Sequence, residues 1–92
     1  MGKVKVSLFG GLRNSFMDKV IIVEALILKD VIDAITLKYG GDFERHIYDE
    51  KNNLRRFINI YINGKDMRFL KLFDTLLNDG DEISIVPAVG GG

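Results

Sequence analysis

The stretch from Leu28 to Tyr39 most constrains how this chain folds. Leu28, Val31, Ile32, Ile35 and Tyr39 recur at i, i+3, i+4, i+7 and i+11, with Lys29, Asp30, Asp33, Thr36 and Lys38 between them. That spacing draws one apolar stripe along an amphipathic helix of about three turns. A helix that is apolar on one side only must bury that side on a second layer. Gly40-Gly41 supplies its stop, because glycine takes the left-handed cap without a Cβ penalty. Its start is less marked, with no Ser, Thr, Asp or Asn in the usual cap position.

The second layer is written in segments of period two. Val4, Val6 and Leu8 alternate with Lys5, Ser7 and Phe9, which predicts a half-buried first strand ended by Gly10-Gly11. Residues 12–18 read as a loop and Lys19 to Glu24 as a second strand, making an antiparallel hairpin. Beyond the helix, residues 42–48 suggest a helical turn, and Asp49 to Asn53 a loop. Phe57 to Ile62 alternates strongly and runs into Asn63-Gly64, a tight-turn pair, with Ile58, Ile60 and Ile62 facing the core. Residues 67–77 read as a connector, Asn78 to Asp81 as a turn, and Glu82 to Val86 as the last strand, with Ile83 and Ile85 inward. Pro87 cannot donate to a ladder and limits that strand. The order is strand, strand, helix, strand, short elements, strand. It predicts an α+β fold: a mixed sheet of four to five strands with one main helix on one face, the first and last strands being parallel neighbours. This is the β-grasp (ubiquitin-like) arrangement, although the order alone admits other small α+β folds.

Composition narrows the chemistry. Lys plus Arg and Asp plus Glu both total 13, so no net field attracts a polyanion, and nucleic acid is not an expected partner. No apolar run approaches the roughly 20 residues of a membrane helix, and the first residues lack the apolar stretch of a secretory signal. A cytoplasmic protein without a membrane partner is expected. There is no cysteine and one histidine, His46, so no thiol nucleophile, disulfide or thiolate metal site is available, and no metal site is expected. No phosphate-binding Gly-x-x-x-x-Gly-Lys loop is present either. The chain does not read as a stand-alone enzyme.

The tail carries the most specific signal. It reads Asp79-Gly80-Asp81-Glu82-Ile83-Ser84-Ile85-Val86-Pro87-Ala88-Val89-Gly90-Gly91-Gly92. With Leu8-Phe9-Gly10-Gly11-Leu12-Arg13, Leu28-Lys29-Asp30-Val31-Ile32, Lys38-Tyr39-Gly40 and Ile60-Tyr61-Ile62-Asn63-Gly64-Lys65-Asp66, it resembles the MoaD family, the small subunit of molybdopterin synthase, over nearly the whole chain. Departures are Ala88 in place of a second proline, Gly90 before the terminal pair, and a long 42–56 segment. ThiS-type carriers end similarly but are usually shorter. Terminal glycines alone can be a scar or a frayed end. Placed after a strand and Pro87, they read as a working tail.

The resemblance implies a sulfur carrier: residues 1–89 form the ubiquitin-like domain and residues 90–92 a flexible reactive tail. The C-terminal carboxylate of Gly92 would be adenylated and converted to a thiocarboxylate. A carboxylate is a poor electrophile until it becomes a mixed anhydride with AMP, and a tail threaded beside ATP must be narrow, which Gly90 and Gly91 permit. Implied partners are a MoeB-like adenylating enzyme, a sulfurtransferase and a MoaE-like large synthase subunit in a heterotetramer, which completes molybdopterin. No cofactor is implied for the chain itself, and catalysis would reside in the partner subunit. The alternative is a ubiquitin-like modifier of the small archaeal modifier type, joined to lysines through Gly92. A plain interaction module with an inert tail is a third class. Strand parity turns Phe9, Tyr61 and Val86 outward, so Phe9, Val86 and Pro87 are candidate partner contacts with the tail, the other reading being side chains packed under a loop. Arg13 resembles a family arginine that pairs with acidic partner residues, or else is a solvated surface residue. Met67, Arg68 and Phe69 are placed beside the same face. His46 reads as a surface or helix-end residue, and Asp79, Asp81 and Glu82 as a solvated turn.

Overall fold

The computed structural model describes residues 2–16 (backbone only at position 15) and 19–87. Its elements are β1 (Gly2–Leu8), α1 (Gly10–Phe16), β2 (Val20–Ala25), α2 (Leu28–Tyr39), α3 (Gly41–Ile47), β3 (Ile58–Ile62), β4 (Lys65–Asp66) and β5 (Glu82–Pro87). Two short 3₁₀ turns, Met67–Phe69 and Leu72–Asp74, lie between β4 and β5. The five strands form one mixed sheet in the order β2-β1-β5-β3-β4, with β1 and β5 parallel at the centre and every other pair antiparallel. This is the β-grasp fold.

The alternation foreseen in the strands sets the two faces of the sheet. Val4, Val6, Leu8, Ile21, Ala25, Ile58, Ile60, Ile62, Ile83 and Ile85 are buried, and they meet the stripe Leu28, Val31, Ile32 and Ile35 of α2. Each such aliphatic side chain withdrawn from water contributes about 1.5–3 kcal/mol, which is what holds helix to sheet. The α2 start lacks a polar cap residue but is held from inside. The Asp30 carboxylate accepts from the backbone N–H groups of Leu26 (3.0 Å) and Ile27 (3.1 Å), satisfying donors that the first turn leaves free. Gly40, at φ 82°, ends the helix, and its N–H donates to the Thr36 carbonyl.

Three sequence expectations change. Residues 12–18 do not form a loop throughout, because Gly10–Phe16 is a helix. Leu12 and Phe16, four residues apart, are both buried and pull one short turn pair onto the core. Residues 42–48 hold more than a single turn: α3 spans Gly41–Ile47 and buries Phe43 and Ile47. Met67, expected beside the outer face, is wholly buried instead. The Asn63-Gly64 turn is as read, both residues having positive φ (52° and 85°), the geometry of a tight hairpin. His46 is exposed near the end of α3, with Nδ1 2.7 Å from the Asp42 carbonyl oxygen. No helix among the described residues is long and apolar enough to cross a membrane.

Candidate functional site

The site is the corner where β5 releases the chain. Central placement of β5, between β1 and β3, delivers Pro87 to one end of the sheet on a fixed track. The strand runs through Pro87, one residue beyond the expected end. On the β3 side Pro87 pairs with Ile58 and Val86 with Asn59. On the β1 side the Phe9 N–H donates to the Ile85 carbonyl at 3.2 Å. The next rung of that parallel ladder would need an N–H from residue 87, which proline lacks. The Phe9 carbonyl is therefore released and accepts from the Arg13 N–H (3.4 Å), opening α1. Pro87 thus ends one ladder and lets a helix start beside it.

Gly10 closes the corner. It sits at φ 58°, and a Cβ there would lie 3.3 Å from Pro87 Cγ. Both the backbone conformation and the contact favour glycine. Phe9, just before it, is 43% exposed, and its backbone bond to Ile85 sets it alongside Val86, which is half-buried on the outer face. The structure therefore brings Phe9, Val86 and Pro87 together, with Gly10 among them. Arg13 stands one turn along α1 and is exposed, on a helix where a loop was expected. Gly90, Gly91 and Gly92 lie outside the described residues.

Phe57 and Arg68 complete this corner. Phe57, beside the Ile58–Pro87 pair, is about half exposed. Arg68 reaches across β3: its guanidinium donates to Asn59 Oδ1 (3.0 Å) and to the Ile58 carbonyl (2.9 Å), with Asp66 Oδ1 at 3.6 Å. The fork holds the Arg68 cation beside the Asn59–Val86 pair. Tyr61, outward as expected, is half-buried. Elsewhere Asp79 and Asp81 act as staples. Asp79 Oδ1 accepts from the Lys3 N–H, while the Asp81 carboxylate accepts from Asn63 Nδ2 and from the Asn78 N–H.

A groove of about 370 Å³ on the helical side is lined by Lys29, Asp33, Glu44, Tyr48, Asn52 and Phe73, none of which belongs to the tail corner. Burial pushes the Tyr48 phenol up to about 12, with the carboxylates of Asp33 and Glu44 adding to the shift. Among the described residues no group of three or more His, Cys, Asp or Glu could hold a metal ion. What the corner offers is the end of a central strand at Pro87, with the partly exposed Phe9 and the half-buried Val86 beside it.

Known proteins share this design. The chain is 42% identical over 64 residues to the sulfur carrier protein CysO of Mycobacterium tuberculosis, covering 67% of this chain and 68% of the relative. Among solved structures it superposes on small archaeal modifier protein 1 (SAMP1) of Methanosarcina acetivorans with a TM-score of 0.85 and 39% identity, over 100% of this chain and 98% of the other. A chain from the BexX/CysO complex of Amycolatopsis orientalis gives a TM-score of 0.82 at 32% identity, over 97% and 99% of the two chains. The profile of the ThiS family matches residues 6–92, from the first strand through the terminal glycines. The chain belongs to the ThiS family of ubiquitin-like sulfur carriers.

Proposed function

We propose that this protein carries sulfur on its own C-terminus. The observation that carries the reading is the family match running through Gly92, joined to a central strand that delivers Pro87 to an open corner. Residues 1–89 act as the grasped domain and residues 90–92 as the reactive tail. An adenylating enzyme of the MoeB type would join the Gly92 carboxylate to the α-phosphate of ATP, releasing pyrophosphate. A sulfur nucleophile delivered by a sulfurtransferase would then displace AMP and leave a terminal thiocarboxylate. Gly90 and Gly91 keep the segment narrow, while Phe9, Val86, Pro87 and Arg13 form the surface against which the partner closes. Catalysis belongs to the partner.

The MoaD resemblance directs the sulfur to a pterin precursor, on a MoaE-like large subunit in a cytoplasmic heterotetramer. Relatives that bear the name of CysO support the carrier role without that destination, so the carrier chemistry is the conclusion and the pterin the destination to be tested. The full-length likeness to a SAMP1 favours a second reading, conjugation of Gly92 to target lysines.

Reconstitution with adenylating enzyme, ATP and a ³⁵S-labelled sulfur donor tests these together. Label on the C-terminal peptide that moves to the pterin precursor when the large subunit is added supports the first reading. Gly-Gly remnants on lysines of other proteins support the second. No label and no remnant would defeat both. Phe9→Glu should cost no more than about 1–2 kcal/mol of stability, the residue being 43% exposed, yet lower partner binding at least about tenfold. Undiminished binding would remove Phe9 from the surface.

A further inference from the structure

The two edges of the sheet are finished differently. At the β4 edge the strand is only two residues long, and beyond it the Arg68 fork occupies the Ile58 carbonyl, so little backbone remains for another strand. The β2 edge has no such cover. One bond sets its phase: the Leu8 N–H donates to the Lys19 carbonyl at 2.9 Å, which makes Leu8 and Lys19 a hydrogen-bonded pair. Alternation along the register then turns the backbone groups of Ile21, Val23 and Ala25 toward β1 and those of Val20, Ile22 and Glu24 away from it. Among the described residues no hydrogen bond outside the sheet ladder reaches the N–H or C=O of these three. Their side chains stand on the outer face, where Val20 is 46% and Ile22 61% exposed. The strand has no proline to blunt it.

We propose that β2 is a self-pairing strand, to which a second copy of this chain adds antiparallel across a two-fold axis at Ile22, joining two five-stranded sheets into one. The occupant follows from the register. Residues opposite one another in an antiparallel pair point to the same face, so β2 meets itself only in registers that keep Val20, Ile22 and Glu24 facing their own kind. Centring on Ile22 sets Ile22 opposite Ile22, and Val20 opposite Glu24 in both directions. Every free N–H and C=O of the three residues is then used in both copies. A slip of two residues leaves one of them unpaired in each copy, and a slip of one turns core side chains to solvent. A set of free groups symmetric about its own centre is the requirement for an isologous contact. The pairing sets no like charges opposite one another, and the exposed Ile22 side chains meet on the axis. Because β5 runs parallel to β1, the two Pro87 corners end up at opposite ends of the joined sheet. The proposal stands or falls apart from the chemistry of Gly92.

The chain has no cysteine, so single-cysteine variants report cleanly. A hydrogen-bonded antiparallel pair brings opposite Cα atoms to about 5.5 Å, within reach of a short bis-maleimide linker between two thiols. With a short bis-maleimide added to the full chain, Ile22→Cys should cross-link to itself at least about tenfold faster than Ser84→Cys, which lies on the same face in the sheet interior. Sedimentation of the wild-type chain should show a concentration-dependent dimer. Ile22→Lys, with an unchanged melting temperature, should weaken it at least about tenfold. A chain that stays monomeric at several hundred micromolar, equal cross-linking of the two cysteine variants, or a dimer undiminished by Ile22→Lys would each overturn the proposal.

Discussion

Gly10 and Pro87 show how two residues of opposite backbone character make one corner. Proline withholds the N–H that would have continued the parallel ladder, and glycine takes the left-handed conformation that turns the freed chain into α1. Gly10→Ala adds a Cβ in an unfavourable φ region, 3.3 Å from the proline ring. Denaturant titration should show a loss of about 1–2 kcal/mol, the cost of a left-handed non-glycine residue with little room to relax. A loss within error of zero would mean that the corner relaxes freely. The pairing was invisible in the sequence: Gly10-Gly11 looked like a strand stop, and nothing local says that residue 87 will return beside residue 10. By contrast, the outward setting of Phe9 and Val86 was legible, since period two alone dictates it.

At the scale of elements, legibility follows the length of the periodic signal. The α2 stripe repeats over three turns, and the Ile58-Ile60-Ile62 alternation is unbroken, so both were readable. The α1 helix rests on Leu12 and Phe16 alone, too few positions to tell a helical period from a loop. The Arg68 fork depends on where β3 lies relative to the 67–69 turn, which is a matter of tertiary register. The join between α2, α3 and the second 3₁₀ turn makes a pH prediction. Tyr48 is half-buried against Phe73, ring centroids 5.1 Å apart, and its pKa is raised from 10.0 to about 12 by burial first and by Asp33 and Glu44 next. The unfolded phenol ionises near 10 and the folded one near 12, so the associated stability is fully present below pH 10 and is lost as the pH rises toward 12. Discounted for solvent screening at a half-exposed ring, the loss is about 1–2 kcal/mol. Melting temperatures measured from pH 9 upward should fall more steeply for the wild-type chain than for Tyr48→Phe, and parallel curves would contradict the assignment.

The molecule as a whole divides its labour by face and edge. The inner face of the sheet and three helices hold the core. The central strand carries the exit, one edge is closed by Arg68, and the other is open along β2. With no cysteine in the chain, a reactive sulfur on this protein would have to be borrowed, and the proposed place for it is a thiocarboxylate on Gly92. Intact mass spectrometry tests this most directly. After incubation with adenylating enzyme, ATP and sulfur donor, the chain should gain about 16 Da, oxygen exchanged for sulfur, located on the C-terminal peptide and absent when ATP is withheld. An unchanged mass, under conditions where the same enzymes load another ThiS-family carrier, would contradict the account.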